Sequence, residues 1–260
     1  MPELALSTRG LRMEYRDRQS DTRLVAIETM DLDVVDGEFV SLLGPSGCGK
    51  STFLKIVNGL LRATAGEIRL RRNGKGREDA MVFQDAALFP WYSVLDNVAY
   101  GLVCAGVPNA EARKRATPLI DLVGLSGFEA KYPYQLSGGM QQRANLARAL
   151  TVDAPLLLMD EPFASLDAQT REVMQAELLR IWNAARKTVV FVTHQIEEAV
   201  FLSDRVVVMS ARPGRILADI HIDLVRPRTL EMKRTVQFAA YSDQIWKLLA
   251  TQHAGAEKAG

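Results

Sequence analysis

Residues 39–60 read FVSLLGPSGCGKSTFLKIVNGL, and this stretch decides the fold. Phe39 to Leu43 is almost wholly apolar, as suits a strand buried on both faces of a parallel sheet. Residues 44–51, GPSGCGKS, match the pattern GxxxxGK[ST]. Phe53, Leu54, Ile56 and Val57 then recur at helical spacing. Strand, glycine-rich loop and helix in this order make a phosphate cradle. Gly44, Gly47 and Gly49 permit backbone angles that turn successive amide N–H groups inward, and the helix adds its positive N-terminal end. Lys50 brings a point charge to the β- and γ-phosphates, and the Ser51 hydroxyl offers a ligand to Mg²⁺. Pro45, Ser46, Cys48 and Thr52 complete the expected ATP-binding set. A chance match in a surface loop is the bland alternative, and the flanking strand and helix argue against it.

Farther along, residues 156–162 read LLLMDEP. Four apolar residues ending in two carboxylates place Asp160 and Glu161 at the carboxyl end of a buried strand, where parallel sheets form their ligand crevice. Asp160 is expected to hold Mg²⁺ together with Ser51, and Glu161 to accept a proton from the attacking water. Alone, such a pair could equally cap the next helix; beside a phosphate loop the catalytic reading is preferred. His194 ends a second apolar run, TVVFVTH (188–194), and is assigned to the γ-phosphate or to Glu161. His221 and His253 lack such a setting and read as structural.

Around these motifs the chain is organised as an α/β core. Val206 to Met209 reads as a further buried strand. Leu4–Tyr15, Leu24–Val34, Glu67–Arg71 and Ala80–Phe83 look like short strands of an antiparallel side sheet, with Asn73 and Gly74 as a hairpin signal. Helices are expected at Val94–Cys104, Asn109–Val123 and Ser137–Leu150, a helical insertion in the core. After Pro213 and Gly214 comes a strand-like Arg215–Ile222. The tail's Ile245, Leu248 and Leu249 suggest an amphipathic helix, and its last residues, GAEKAG, are expected to fray. The domain division expected is 1–86 with 151–225 for the ATP-binding core and side sheet, 87–150 for the helical subdomain, and 226–260 for a helical tail.

Composition excludes several other classes. With 48% apolar and 24% charged residues the chain is an ordinary globular one, and Lys+Arg 32 against Asp+Glu 31 gives no bulk attraction for nucleic acid or anionic lipid. Cys48 and Cys104 lie far apart with no histidine at zinc spacing, so a reduced compartment is the default. No signal peptide or spanning segment is expected: the most membrane-like stretch, Ala86–Pro108, is interrupted by Pro90 and Asp96.

Residues 136–143 read LSGGMQQR. Ser137, Gly138 and Gly139 open a helix, so hydroxyl, amides and helix dipole form a second anion site. One ATP has no need of two cradles from one chain. Here the chain resembles the ATP-binding subunits of ABC transporters, over about residues 4 to 250. Gln84 in VFQD matches the family's Q-loop, LSGGM the signature, Ser165, Leu166 and Asp167 the D-loop, and His194 the H-loop. Tyr15 lies where the family places an aromatic against adenine.

The resemblance implies a P-loop NTPase (RecA-like) core with an antiparallel β side sheet and an inserted α-helical subdomain. It implies ATP hydrolysis with catalytic Glu161, His194 and Lys50, and Mg²⁺ held by Ser51, Gln84 and Asp160. It also implies a head-to-tail homodimer in which Ser137, Gly138, Gly139 and Asp167 act in trans on the other subunit's ATP. Met140 departs from the commonest signature glutamine. That methionine, FPWYSVLDNV (89–98), SARPGRI (210–216) and VRPR (225–228) resemble the nitrate, sulfonate and taurine importers. Membrane permease subunits and an extracytoplasmic solute-binding protein are the implied partners, at the cytoplasmic face of the inner membrane, with no nucleic acid. The alternatives are lipid transport, or DNA repair and chromosome maintenance. DNA-repair relatives separate phosphate loop and signature by long coiled coils or zinc modules, and here only about 85 residues intervene, without sustained heptads or cysteine clusters.

Overall fold

The computed structural model of the chain describes residues 3–16, 22–71, 78–185 and 187–256. In chain order the first elements are β1 (Leu4–Arg16), β2 (Arg23–Thr29), β3 (Leu32–Val35), β4 (Phe39–Leu43), α1 (Lys50–Val57), β5 (Ala65–Leu70) and β6 (Asp79–Val82). Then follow α2 (Val94–Cys104), α3 (Asn109–Leu122), α4 (Gly138–Thr151), β7 (Leu156–Asp160), α5 (Ala168–Ala185), β8 (Thr188–Thr193) and α6 (Ile196–Leu202). The chain continues through β9 (Arg205–Met209), β10 (Gly214–His221) and α7 (Val236–Ala256). Two compact units result, one within Met1–Arg72 and Arg186–Gly260, the other within Asn73–Ala185.

In the first unit the strands run in the order β3-β1-β2-β10-β9-β4-β8, with β5 added to β1. β4 lies between β8 and β9, parallel to both, and every residue of these three strands is buried. This is why they are near-continuous in Val, Leu and Phe: neither face meets water. β1 pairs antiparallel with β2, β3 and β5, and its burial alternates, as a sheet with one wet face requires. The expected strand Leu24–Val34 is two strands, broken at Met30 and Asp31 so that β3 can return along β1. The Asn73–Gly74 turn lies outside the described residues, as does the tail beyond Ala256.

The C-terminal segment fastens onto α6. Arg228, 6% exposed, donates to the carbonyls of Val200, Phe201 and Ser203 at the end of that helix, and to Ile222 O. Arg226 pairs with Asp204 at 2.7 Å and donates to Leu202 O. VRPR is therefore a helix clamp: cations placed on the otherwise unpaired last carbonyls of α6, where the helix end is negative.

In the second unit β6 and β7 are parallel, with Val82 opposite Met159. This corrects the assignment of Ala80–Phe83 to the antiparallel side sheet. A four-residue apolar strand carries no mark of which neighbour it will take, and β6 has the buried pattern of a core strand. The helices α2, α3 and α4 pack through Val98, Leu102, Ala112, Ala116, Ala144 and Ala147, all nearly or fully buried. Small residues on α3 and α4 allow their close approach. Ser93 caps α2 by accepting from Asp96 N at 3.1 Å, and Ser137 caps α4 by accepting from Met140 N at 3.3 Å.

Candidate nucleotide site

The phosphate loop is in the first unit. Leu43, the last residue of β4, lies opposite Thr193 of β8 and Val208 of β9, so the loop and His194 leave the same end of adjacent parallel strands. Gly47 and Gly49 have φ of 77° and 100°, the left-handed region that a side chain disfavours. A Cβ on Gly49 would also stand 2.9 Å from Ala26 O. Lys50 is 5% exposed, and its Nζ donates to Gly44 O at 2.7 Å and Pro45 O at 2.9 Å. The buried ammonium is thus folded over the loop that it closes and satisfied by that loop's own carbonyls. Ser46 and Gly47 at the crown are exposed, while Ser51 and Thr52 are half-buried in the first turn of α1. The Tyr15 hydroxyl lies 3.3 Å from Thr52 Oγ1 with its ring exposed, which brings this residue of β1 to the start of α1.

His194 is exposed one residue beyond β8. The preceding Thr193 donates its hydroxyl to the buried carboxylate of Glu198 and accepts from Gln195 N at 3.0 Å, which fixes the turn carrying His194. Sequence reading missed Glu198. It missed Arg212 too, whose Nε donates to Gly47 O at 3.1 Å. Neither leaves a local signal, because each contact joins elements separated along the chain or sits in a plain helical turn.

The second unit carries the remaining candidates. Gln84 is exposed two residues beyond β6. The carbonyl of Phe83 just before it accepts from Gln142 Nε2 and Asn145 Nδ2 of α4, both at 3.1 Å, so the signature helix holds this strand end. Asp160 is 3% exposed at the end of β7. Glu161 follows at φ 45°, an uncommon conformation for a residue with a Cβ. Ser137 and Gly138 are exposed where α4 begins, and a Cβ on Gly139 would stand 3.1 Å from Leu166 Cδ2, so signature and D-loop touch. Asp167 caps α5 by accepting from Thr170 N at 3.0 Å, and that amide holds its carboxyl below the usual range. Trp91 is 67% exposed against Phe89, in a cluster with Tyr92 and Tyr100.

Comparison with known proteins gives a consistent pattern. A family model described as ABC transporter matches residues 27–164. An uncharacterized ABC transporter ATP-binding protein of Methanocaldococcus jannaschii is 50% identical over 230 residues, 87% of this chain and 85% of that one. A taurine import ATP-binding protein of Rhizobium johnstonii is 46% identical, covering 86% of this chain and 88% of its own. A nitrate import ATP-binding protein of Synechocystis is 43% identical, covering 87% and 88%. Among solved structures, a dimeric ATP-binding cassette in a post-hydrolysis state, bound to ADP and Pi, superposes with TM-score 0.76 at 30% identity, over 85% of this chain and all of that one.

Proposed function

The chain belongs to the ABC transporter family, and from that premise we propose the work of its individual residues in an importer ATPase. The protein is an ATP-binding subunit that hydrolyses ATP to power solute import, acting as a dimer with a membrane permease. Relatives named for taurine and nitrate import favour this over lipid transport or DNA repair.

The observation that carries the reading is Lys50, buried and bent onto its own glycine loop. An ammonium held by two carbonyls and the Cys48 sulfur of its own loop is poised to exchange them for phosphate oxygens, which are stronger, charged acceptors. The loop from Gly44 to Thr52 binds the ATP phosphates, and Tyr15 stacks on adenine. The hydroxyl of Ser51, half-buried in the first turn of α1, with the oxygens of Asp160 and Gln84 is the hard donor set that suits Mg²⁺. Bound there, the ion would neutralise charge on the β- and γ-phosphates. Glu161 accepts the proton of the attacking water, and His194 orients the γ-phosphate. Ser137, Gly138, Gly139 and Asp167 act on the nucleotide of the second subunit.

The transported solute belongs to the sulfonate and nitrate class, delivered by an extracytoplasmic binding protein. The subunit works peripherally at the cytoplasmic face of the inner membrane; among the described residues no helix is long and apolar enough to cross a membrane. The exposed patch at Trp91 meets the permease. A cysteine replacing Pro90 cross-links to it in the assembled transporter, and capture only from other positions would remove this contact.

The central test is titration of Lys50→Ala with a fluorescent ATP analogue. Affinity falls at least about tenfold if a buried charged donor to phosphate is lost. Wild-type affinity in that variant would overturn the reading.

A further inference from the structure

We infer that Arg212 is a positioning residue for nucleotide binding, which holds the peptide between Gly47 and Cys48 so that the Cys48 N–H faces the phosphates. The inference rests on the phosphate loop being the nucleotide site, as proposed above.

Arg212 belongs to SARPGRI, the turn between β9 and β10. Its Nε donates to Gly47 O at 3.1 Å. The Gly47–Cys48 peptide is trans, and in a trans peptide the C=O and the following N–H point in opposite directions. An oxygen held outward by Arg212 therefore sends the Cys48 N–H inward. There it faces Pro45 O at 3.4 Å, too long for a good bond, and the same oxygen takes the Lys50 ammonium at 2.9 Å. A backbone donor and the loop's cation converge on one oxygen, on the side of the loop away from Arg212. A phosphate oxygen arriving there replaces Pro45 O for both. The guanidinium does more than orient: a charged donor on a carbonyl polarises the peptide and strengthens its N–H as a donor.

The turn is built to hold this position. Ser210 N donates to Arg215 O at 2.9 Å, Arg215 N to Ser210 Oγ at 3.0 Å, and Ser210 Oγ to Pro213 O at 2.9 Å. A Cβ on Gly214 would stand only 2.1 Å from Cys48 O, so the turn's backbone lies directly against the next carbonyl of the loop. A Cβ on Gly47 would stand 2.9 Å from Arg212 Nη2, so the guanidinium occupies the space beside that glycine. Arg212 is itself exposed, which separates its role from core packing.

The test uses the full chain and its Arg212→Ala, Arg212→Lys and Lys50→Ala variants, with the fluorescent ATP analogue as probe. Arg212→Ala weakens affinity by about three- to tenfold, the range for an exposed, charge-assisted bond acting through one peptide. Its Tm and its kcat at saturating ATP stay at wild-type values, and Arg212→Lys recovers part of the affinity. In the nucleotide-free chain the Cys48 amide proton resonance moves upfield in Arg212→Ala. Wild-type affinity in Arg212→Ala, with binding lost in Lys50→Ala, overturns the inference and leaves the nucleotide site standing. Wild-type affinity in both variants overturns the nucleotide site itself. A loss in Arg212→Ala that Arg212→Lys shares in full, with lowered Tm and no change at the Cys48 amide, also overturns it, since the role is then only structural.

Discussion

Glu161, the proposed base, stands in an uncommon backbone conformation. At φ 45° it lies in a region that costs a residue with a Cβ on the order of 1 kcal/mol, directly after the buried Asp160. The turn sends two consecutive carboxylates different ways, one buried at the strand end and one half-exposed beyond it. Ala164 N donates to Glu161 O at 3.1 Å and closes that turn. Glu161→Gln keeps the shape and the turn but cannot take up a proton, so phosphate release slows by about 10²- to 10⁴-fold while ATP still binds. A variant that releases phosphate at the wild-type rate would place the base elsewhere.

At the scale of elements, the clamp on α6 makes a quantitative claim. Arg228 meets four carbonyls, and burial, with Arg226 close by, pushes its pKa down to about 10. Removing the side chain leaves buried acceptors without donors, at about 2–3 kcal/mol. In a chain of this size that lowers Tm by roughly 5–10 °C in Arg228→Ala. An unchanged melting curve would mean that water replaces the guanidinium without loss. The same segment marks the limit of sequence reading. VRPR stood out only by resemblance, because most of its targets are main-chain carbonyls more than 20 residues away, and nothing in a sequence announces an acceptor. By contrast β4, β7, β8 and β9 were legible because burial on both faces leaves an unbroken apolar run, and α2 was legible to its ends because Ser93 and Asp96 write its cap. β6 was legible as a strand and misplaced in its sheet, since partner choice is decided by the fold. The glycine loop, Asp160, Glu161 and the signature were legible as candidates, because each sits in a motif contiguous along the chain. Glu198 and Arg212 were not, as they act through a hydroxyl and a carbonyl of other segments.

At the scale of the molecule, one chain carries two proposed anion sites, the loop ending at Lys50 and the start of α4 at Ser137. With ATP and Mg²⁺, Glu161→Gln accumulates as a dimer by size exclusion with light scattering, and adding Ser137→Arg abolishes that dimer while ATP binding at Lys50 survives. A Glu161→Gln chain that stays monomeric at saturating ATP would sink the trans assignment of the signature. Within the first unit, β4, β8 and β9 release in turn the phosphate loop, His194 and the turn bearing Arg212, from three neighbouring strands at one edge. When the sheet vibrates, these three groups ride on it together, as detectors bolted to one bench. The hydrogen-bonded register of the three strands ties the bases of these segments to one another, so much of any displacement is shared among them.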